Sequence, residues 1–451
     1  MTRKKAIKVL RKKKKTHVVQ RFTQVQHLGG NRLTAHAYRV LKRMTHSTKA
    51  LRNVGLYTIR KSFREQNRCA TTKEIDNAMK ADVNYWGAQS NSVQAIRRSL
   101  LDEVNSFFKG LEAWKADPSR FKGRPRFPRY LSKEDKRIIE IYQVPKVDKD
   151  GYWTLPMNTA FKKRFGALKI RLPKNLRNHR ITYIEIVPRQ RGRFFDVHYT
   201  YEVQVAQMKK APTTTTHALG IDFGVDNLMS CASNQGNTFL IDGRPLKSLN
   251  RYWNKEIGKQ QQTNIQNGLS KRLITNKQAW MWTKRERQIN GYLSQAVGLL
   301  FQQVKKLNID TIVVGYNAGW KQDIELGKKT NQHFVQIPFA RLLSAIENKC
   351  QKEGIRFLKQ EESYTSKASF LHRDNLPVWA KDDKTVYVFR GKRQYRGWYR
   401  CEDGQCLHAD INGALNILRK ADVVAFPTGL RIASPVRLKV HTCKTVALCA
   451  V

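Results

Sequence analysis

Three acidic positions stand out in a chain that otherwise avoids acids. Asp222 closes the apolar run Leu219-Gly220-Ile221-Asp222-Phe223-Gly224. Glu361-Glu362 ends the run Ile355-Arg356-Phe357-Leu358-Lys359. Asp410 lies in His408-Ala409-Asp410-Ile411-Asn412-Gly413-Ala414-Leu415-Asn416, just ahead of an amphipathic helix. Singly, each has an ordinary use: turn chemistry beside a glycine, a solvated strand end, and a helix cap. Together they point to chemistry. Phosphodiester hydrolysis uses two divalent ions about 3.5–4 Å apart, one generating the attacking hydroxide and one stabilising the leaving oxygen. Hard ions of the Mg²⁺ type take a few carboxylates and keep several waters. Carboxylates far apart in sequence, each at an element end, meet that need.

The elements that must position them form an α/β pattern. Strands are expected at His217–Phe223, Leu228–Ser233, Asn237–Ile241, Thr311–Val314 and Ile355–Lys359. Helices are expected at Leu246–Gln262, Lys284–Leu307, Phe339–Glu353 and Asn412–Lys420. Strands alternating with helices imply a sheet under helical cover. The helix Phe339–Glu353 is long enough to be a crossover between parallel strands, which would set Glu361-Glu362 beside the end of 311–314. Earlier in the chain, Val18, Val19, Phe22 and Val25 suit a strand. Helical periodicity runs over 33–61 and 72–115 until Asp117-Pro118 stops it. Alternating residues over 138–205 predict a small β-barrel or sheet.

Charge sets the class of partner. The 451 residues carry 85 Lys plus Arg against 35 Asp plus Glu, a formal net charge of +50. With 40% hydrophobic and 10% aromatic residues the chain holds real cores, unlike a disordered polybasic tail. At roughly 150 residues per domain, two to four domains are expected. Self-repulsion on this scale calls for a polyanion, nucleic acid before anionic membrane. No run of about 18 apolar residues occurs, and the basic start of the chain does not read as a secretory signal. Seven cysteines at 69, 231, 350, 401, 406, 443 and 449 are too sparse and odd for a disulfide framework, which suggests reduced thiols in a cytoplasm. The segment 118–130 interleaves Lys122, Arg124, Arg126 and Arg129 with Phe121, Phe127 and Tyr130. It reads as a strip tracking a nucleic-acid backbone, with bases or sugars on the rings.

At these residues the chain resembles TnpB, the RNA-guided nuclease of bacterial insertion sequences and relative of type V CRISPR effectors. The resemblance rests on Gly220–Gly224, Ile241–Ser248 (Ile-Asp-Gly-Arg-Pro-Leu-Lys-Ser), Gly315–Lys321 (Gly-Tyr-Asn-Ala-Gly-Trp-Lys), Glu362–Ser369 (Glu-Ser-Tyr-Thr-Ser-Lys-Ala-Ser) and His408–Ala414. It is strong over 217–420, weaker over 118–205 and weakest before that. It implies a multidomain α+β protein: a wedge-type β-barrel with an inserted helical recognition domain, then a RuvC-like RNase H-fold nuclease. The expected boundaries are a basic arm and first barrel segment (1–32), helical domain (33–116), barrel (117–210), nuclease (211–420, with an insert at about 363–405) and a weakly ordered tail (421–451).

The resemblance also implies roles. Asp222 and Asp410 would be the first and last catalytic, metal-binding carboxylates. Relatives place the middle glutamate at the strand end where this chain has Gly315; the Glu-x-Tyr-Thr-Ser-Lys pattern selects Glu362 in its place. Many relatives carry a four-cysteine zinc ribbon before the last aspartate. Here only Cys401 and Cys406 occupy that interval, with His372 and His408 as further donors, and one cysteine pair does not make a structural zinc site. No zinc is expected. Implied cofactors are Mg²⁺ or Mn²⁺ and a guide RNA. The implied partners are that RNA and target double-stranded DNA, in a cytoplasmic ribonucleoprotein acting at the prokaryotic nucleoid; its oligomeric state is open, a monomer being favoured. Pairing would read sequence while protein reads a short flanking motif. Nucleic-acid contacts are assigned to Arg32, Arg39, Arg43, Lys49, Arg52 and Arg60, and near the cut strand to Arg244 and Lys321. Two alternatives stay open: a compact CRISPR-like effector using a crRNA, and an RNA-guided DNA-binding regulator with an inactive nuclease.

Overall fold

A computed structural model describes residues 19–29, 33–204, 211–270, 273–317, 336–379, 385–395 and 397–440. The chain divides into two compact units, Met1–Val205 and Ala206–Val451.

In the first unit, β1 (Val19–Leu28) leads into α1 (Ala35–Gln66), α2 (Thr72–Ala81) and α3 (Ser90–Ala116). Then follow β2 (Ile139–Ile141), β3 (Tyr152–Thr154), α4 (Thr159–Phe165), β4 (Lys169–Arg171), β5 (Arg180–Arg189) and β6 (Phe194–Gln204). Thr34 starts α1 by accepting from the Ala37 N–H, and Asn67, left-handed at φ 50°, ends it. The second helical run is broken in two: the Asp82 carboxylate accepts from the Asn84 backbone and side chain, and this turn competes with the helix. Leu56, Ile59, Ile75, Met79, Ile96 and Leu100 join the three helices in one core. The strands pair antiparallel in the order β1-β6-β5-β2, with β3-β4 as a separate ribbon. Among the described residues this pairing is an open sheet plus a ribbon, the sheet that the alternation allowed and not the barrel that the resemblance implied.

In the second unit, β7 (Ala218–Phe223), β8 (Asn227–Ser233) and β9 (Thr238–Asp242) precede α5 (Arg244–Gln266) and α6 (Asn276–Lys306). Then come β10 (Thr311–Gly315), α7 (Phe339–Glu353), β11 (Arg356–Gln360), the short strands β12 (Gly391–Tyr395), β13 (Trp398–Cys401) and β14 (Cys406–His408), α8 (Ala409–Lys420) and β15 (Val436–Leu438). The main sheet runs β11-β10-β7-β8-β9-β15. β10 is parallel to both β7 and β11, β7-β8-β9 are antiparallel, and β15 is parallel to β9. One sheet face (Leu219, Ile221, Phe223, Ile312, Val314) packs with residues of α6 and α7, including Leu293, Leu300, Phe301, Leu342 and Ile346. The other (Ala218, Ala232, Leu240, Val313) packs with Ile411, Ala414, Leu415, Ile417 and Leu418 of α8. The sheet is thus sandwiched between helical layers.

Residues 421–440 are not the weakly ordered tail expected. Phe426, Leu430 and Ile432 pack beside Leu240 and Ile411, the Thr238 hydroxyl donates to Ala433 O at 2.7 Å, and β15 adds the sixth strand. The run Val436-Arg437-Leu438-Lys439-Val440 does alternate apolar and basic residues, but it is too short to stand out as a strand by itself. Residues 441–451 lie outside the described part.

Candidate active site

Alternation along β7 decides where its carboxylate goes. Leu219, Ile221 and Phe223 point into the α6/α7 core, so Ala218, Gly220 and Asp222 take the α8 face. Asp410 meets Asp222 from α8, in that helix's first turn; His408, not Asp410, occupies the cap position. The approach is close: a Cβ on Gly413 would stand 2.8 Å from Asp222 Oδ2. β10 obeys the same rule. Ile312 and Val314 enter the α6/α7 core, and Val313 packs on the α8 face. Gly315 therefore faces the site. A Cβ there would collide with Glu362 Oε2 and Ile417 Cδ1. The parallel partner β11 pairs Gly315 with Gln360, and the chain delivers Glu362 two residues later into the space that glycine leaves.

The neighbouring Glu361 is used otherwise. Its Oε2 accepts from Lys420 Nζ at 2.5 Å, and that ammonium also reaches Ser363 O (3.1 Å) and Pro377 O (2.8 Å). Burial would raise the Glu361 carboxyl, but the bonds from Lys420 and Ser363 hold it below the usual range. Glu362 is oriented by Asn317, whose Oδ1 accepts from the Glu362 N–H at 3.2 Å and whose Nδ2 lies 3.5 Å from Oε1. Asp410 accepts from Asn227 Nδ2 at 2.7 Å and from Arg393 Nη2 at 3.1 Å. Burial, then the like charges of Glu362 and Asp410, push the Asp222 carboxyl well above the ordinary carboxylate range, with Arg393 opposing. Asp222 and Asp410 open into a cleft of about 760 Å³ that also holds Arg393, Trp398 and Arg437.

This donor set fits hard divalent cations. Oxygen ligands come from three separate elements, and the electrostatic conflict at Asp222 is one that a cation relieves. The three do not close into one tight cage. Among the described residues only His372, Cys401 and Asp403 have ligand atoms all within 4.8 Å of one another. That second cluster is tied up in hydrogen bonds: Ser369 Oγ lies 3.1 Å from His372 Nδ1 and 3.3 Å from Cys401 Sγ. Burial pushes the Cys401 thiol up. Cys406 is exposed.

The basic residues singled out from sequence divide. Arg32 and Lys321 lie outside the described residues. Arg39 is exposed on α1 and Arg43 half-buried over the Trp86 ring at 5.6 Å. Lys49 and Arg52, assigned from sequence to nucleic-acid contacts, are buried. Arg52 donates to Arg129 O (3.0 Å) and Glu103 (2.5 Å), and Arg60 to Pro128 O (2.7 Å) while stacking on Phe127 and Tyr130. They clamp the 118–130 strip to the helices. Phe127 of that strip packs edge-on to Phe63 and Phe107, so it is not free for bases. Lys122, Arg124, Arg126 and Arg129 remain exposed. Arg244 forms a two-pronged pair with Asp242 at 2.9 and 2.8 Å. Sequence reasoning missed Asn227, Asn317, Arg393 and Arg437. Only Asn317 sat in a motif already noticed; the others become neighbours of the site through tertiary pairing.

Known proteins share this second unit. A family model described as "Probable transposase" (OrfB_IS605) matches residues 198–321, and a "Cas12f1-like, TNB domain" model matches 339–417. The two matched segments are thus similar to transposon-type and Cas12f1-type domains respectively. The TnpB-like protein ORF457 of Acidianus two-tailed virus is 27% identical over 206 residues, 45% of this chain and 41% of that protein. With the motifs above, these matches make parts of the second unit similar to TnpB-type proteins. The chain spans about two fifths of the length of that curated relative. Among solved structures, the Cas12f1–sgRNA–target DNA complex is similar at 16% identity and TM-score 0.45, covering 85% of this chain and 83% of that one. The mini-RNA-guided endonuclease CRISPR-Cas_phi3 is similar at 10% identity and TM-score 0.41, with 90% and 92% covered. Among the described residues no helix is long and apolar enough to cross a membrane.

Proposed function

We propose that the chain is an RNA-guided DNA endonuclease whose RuvC-like second unit hydrolyses phosphodiesters at Asp222, Glu362 and Asp410. The observation that carries this reading is the convergence of three carboxylates from β7, the end of β11 and α8 on one sheet face, with Asp222 electrostatically strained by the other two. Divalent ions, Mg²⁺ or Mn²⁺, would be held by these three and would supply water activation and leaving-group stabilisation. The chain's own residues do the rest. Asp222 feels the charge of both other carboxylates and would be a ligand common to the site. Asn317 and Asn227 orient Glu362 and Asp410. Arg393 and Trp398 line the cleft through which a strand would enter. A guide RNA pairing with double-stranded DNA beside a short flanking motif would supply the specificity, and the +50 charge suits such a load. An inactive regulator is disfavoured because the carboxylate set is intact; a crRNA-using effector differs only in the source of its guide.

The test is cleavage of a target plasmid by the purified ribonucleoprotein with Mg²⁺, after sequencing the RNA it carries. Asp222→Ala and Asp410→Ala are expected to abolish cutting while target binding persists. Wild-type cutting by either variant would refute the assignment.

A further inference from the structure

The C-terminal strand reaches the candidate site through one arginine. β15 pairs in parallel with β9, setting Arg437 opposite Leu240. The Arg437 guanidinium donates to Asn227 Oδ1 at 2.6 Å and lies 3.7 Å from Asp242 Oδ1. Asp242 is buried and anchored by Arg244, and its carbonyl accepts from the Tyr292 hydroxyl at 2.5 Å. Asn227 is buried, and its Nδ2 donates to Asp410 Oδ2 at 2.7 Å. One amide therefore has its oxygen held by Arg437 and its nitrogen on a candidate metal ligand. A primary amide so engaged at both ends has no freedom to flip.

We propose that Arg437 is a positioning residue for the metal site: through Asn227 it fixes the orientation in which Asp410 presents its carboxylate, making the 421–440 segment part of the nuclease. This rests on the reading of Asp410 as a metal ligand. Partners of that kind, one bond removed from the ligand, commonly govern metal affinity. The position also separates two physical roles. A cation acting only by its charge repels a divalent metal, so removing it would tighten metal binding. A cation acting through the Asn227 amide loosens metal binding when removed.

The experiment uses the full-length ribonucleoprotein with Fe²⁺ in place of Mg²⁺, hydrogen peroxide as oxidant and ascorbate to return Fe³⁺ to Fe²⁺, reading hydroxyl-radical scission of the polypeptide beside Asp222 and Asp410. Arg437→Gln is expected to raise the Fe²⁺ concentration for half-maximal scission about tenfold with an unchanged melting temperature. Arg437→Lys, whose donor is charged and reaches farther than the glutamine amide, should recover part of that loss. Asn227→Ala should match or exceed Arg437→Gln, and the double variant should be no worse than Asn227→Ala alone, because the two act in series. Unchanged or tighter Fe²⁺ dependence in Arg437→Gln, or additive losses in the double variant, would overturn the proposal. Asp410→Ala is the control that tells the two readings apart. If it retains local scission and DNA cutting, the metal-site reading has failed; if it loses both while Arg437→Gln behaves as wild type, only the relay has failed.

Discussion

At the scale of residues, the site depends on a vacancy and its occupant. Gly315 has no side chain, and Glu362 Oε2 fills the volume a Cβ would take. Gly315→Ala is expected to displace the Glu362 carboxylate and reduce cleavage at least tenfold with the fold intact by circular dichroism; wild-type cutting would show that the carboxylate position is unimportant. The adjacent glutamates separate by role. Glu362→Ala should abolish cleavage. Glu361→Ala should leave Lys420, which is buried, without its carboxylate, costing about 1–3 kcal/mol of stability while cleavage at low temperature persists. A denaturation series beside an activity assay tests both. Asp222 predicts a pH effect. Its carboxyl is raised in the folded chain, so the stability it contributes is present below the unfolded carboxylate range and is lost as pH rises through the folded value. With EDTA at pH 8, Asp222→Asn should melt about 2–4 °C above wild type for each kcal/mol of strain relieved, and the difference should vanish near pH 4. A variant that melts lower at pH 8 would contradict the strain.

At the scale of elements, the register of β7 against β10 is held at its far end by Asp310. Burial opposes its charge, but the Thr216 hydroxyl (2.6 Å) and the Thr216 and His217 N–H groups (2.8 and 2.9 Å) keep the carboxyl below the ordinary range. A depressed carboxylate contributes stability above its unfolded pKa and loses it as pH falls through the folded value. Asp310→Ala should therefore cost about 1–3 kcal/mol at pH 7 and progressively less as acid protonates the wild type. Equal costs at pH 7 and in strong acid would show that the residue acts by packing alone. The elements carrying the candidate site were legible from sequence for a physical reason: their apolar residues alternate or recur so regularly that β7, β10, β11, α7 and α8 all lie within a few residues of expectation. The break between α2 and α3 was not, because Asp82 and Asn84 override a helical period that continues on both sides.

At the scale of the whole molecule, charge dominates. A chain of +50 is expected to copurify with nucleic acid. Each phosphate it neutralises releases counterion, so affinity for its RNA should fall by orders of magnitude between 50 and 200 mM salt. A filter-binding titration across that range reads the slope. RNA-free protein with unchanged melting and a flat salt response would rule out a ribonucleoprotein held by charge.

The sequence by itself determined the kind of residues available and the order of the elements: acids so rare that the few near element ends stand out, a basic excess that demands a polyanion, and a crossover helix that puts the Glu362 strand beside Gly315. These are local or compositional properties, written in periodicity and spacing. Only the tertiary structure decided which side chains are used up inside. Arg52 and Arg60 look like any basic helix face until the 118–130 strip supplies its carbonyls to them. Glu361 and Glu362 are adjacent and chemically alike, and what separates them is Lys420 at the end of another helix. Arg437 meets Asn227 and, through it, Asp410 because β15 docks on β9. Pairings across such separations depend on which surfaces meet after folding, and no local pattern in the chain encodes them.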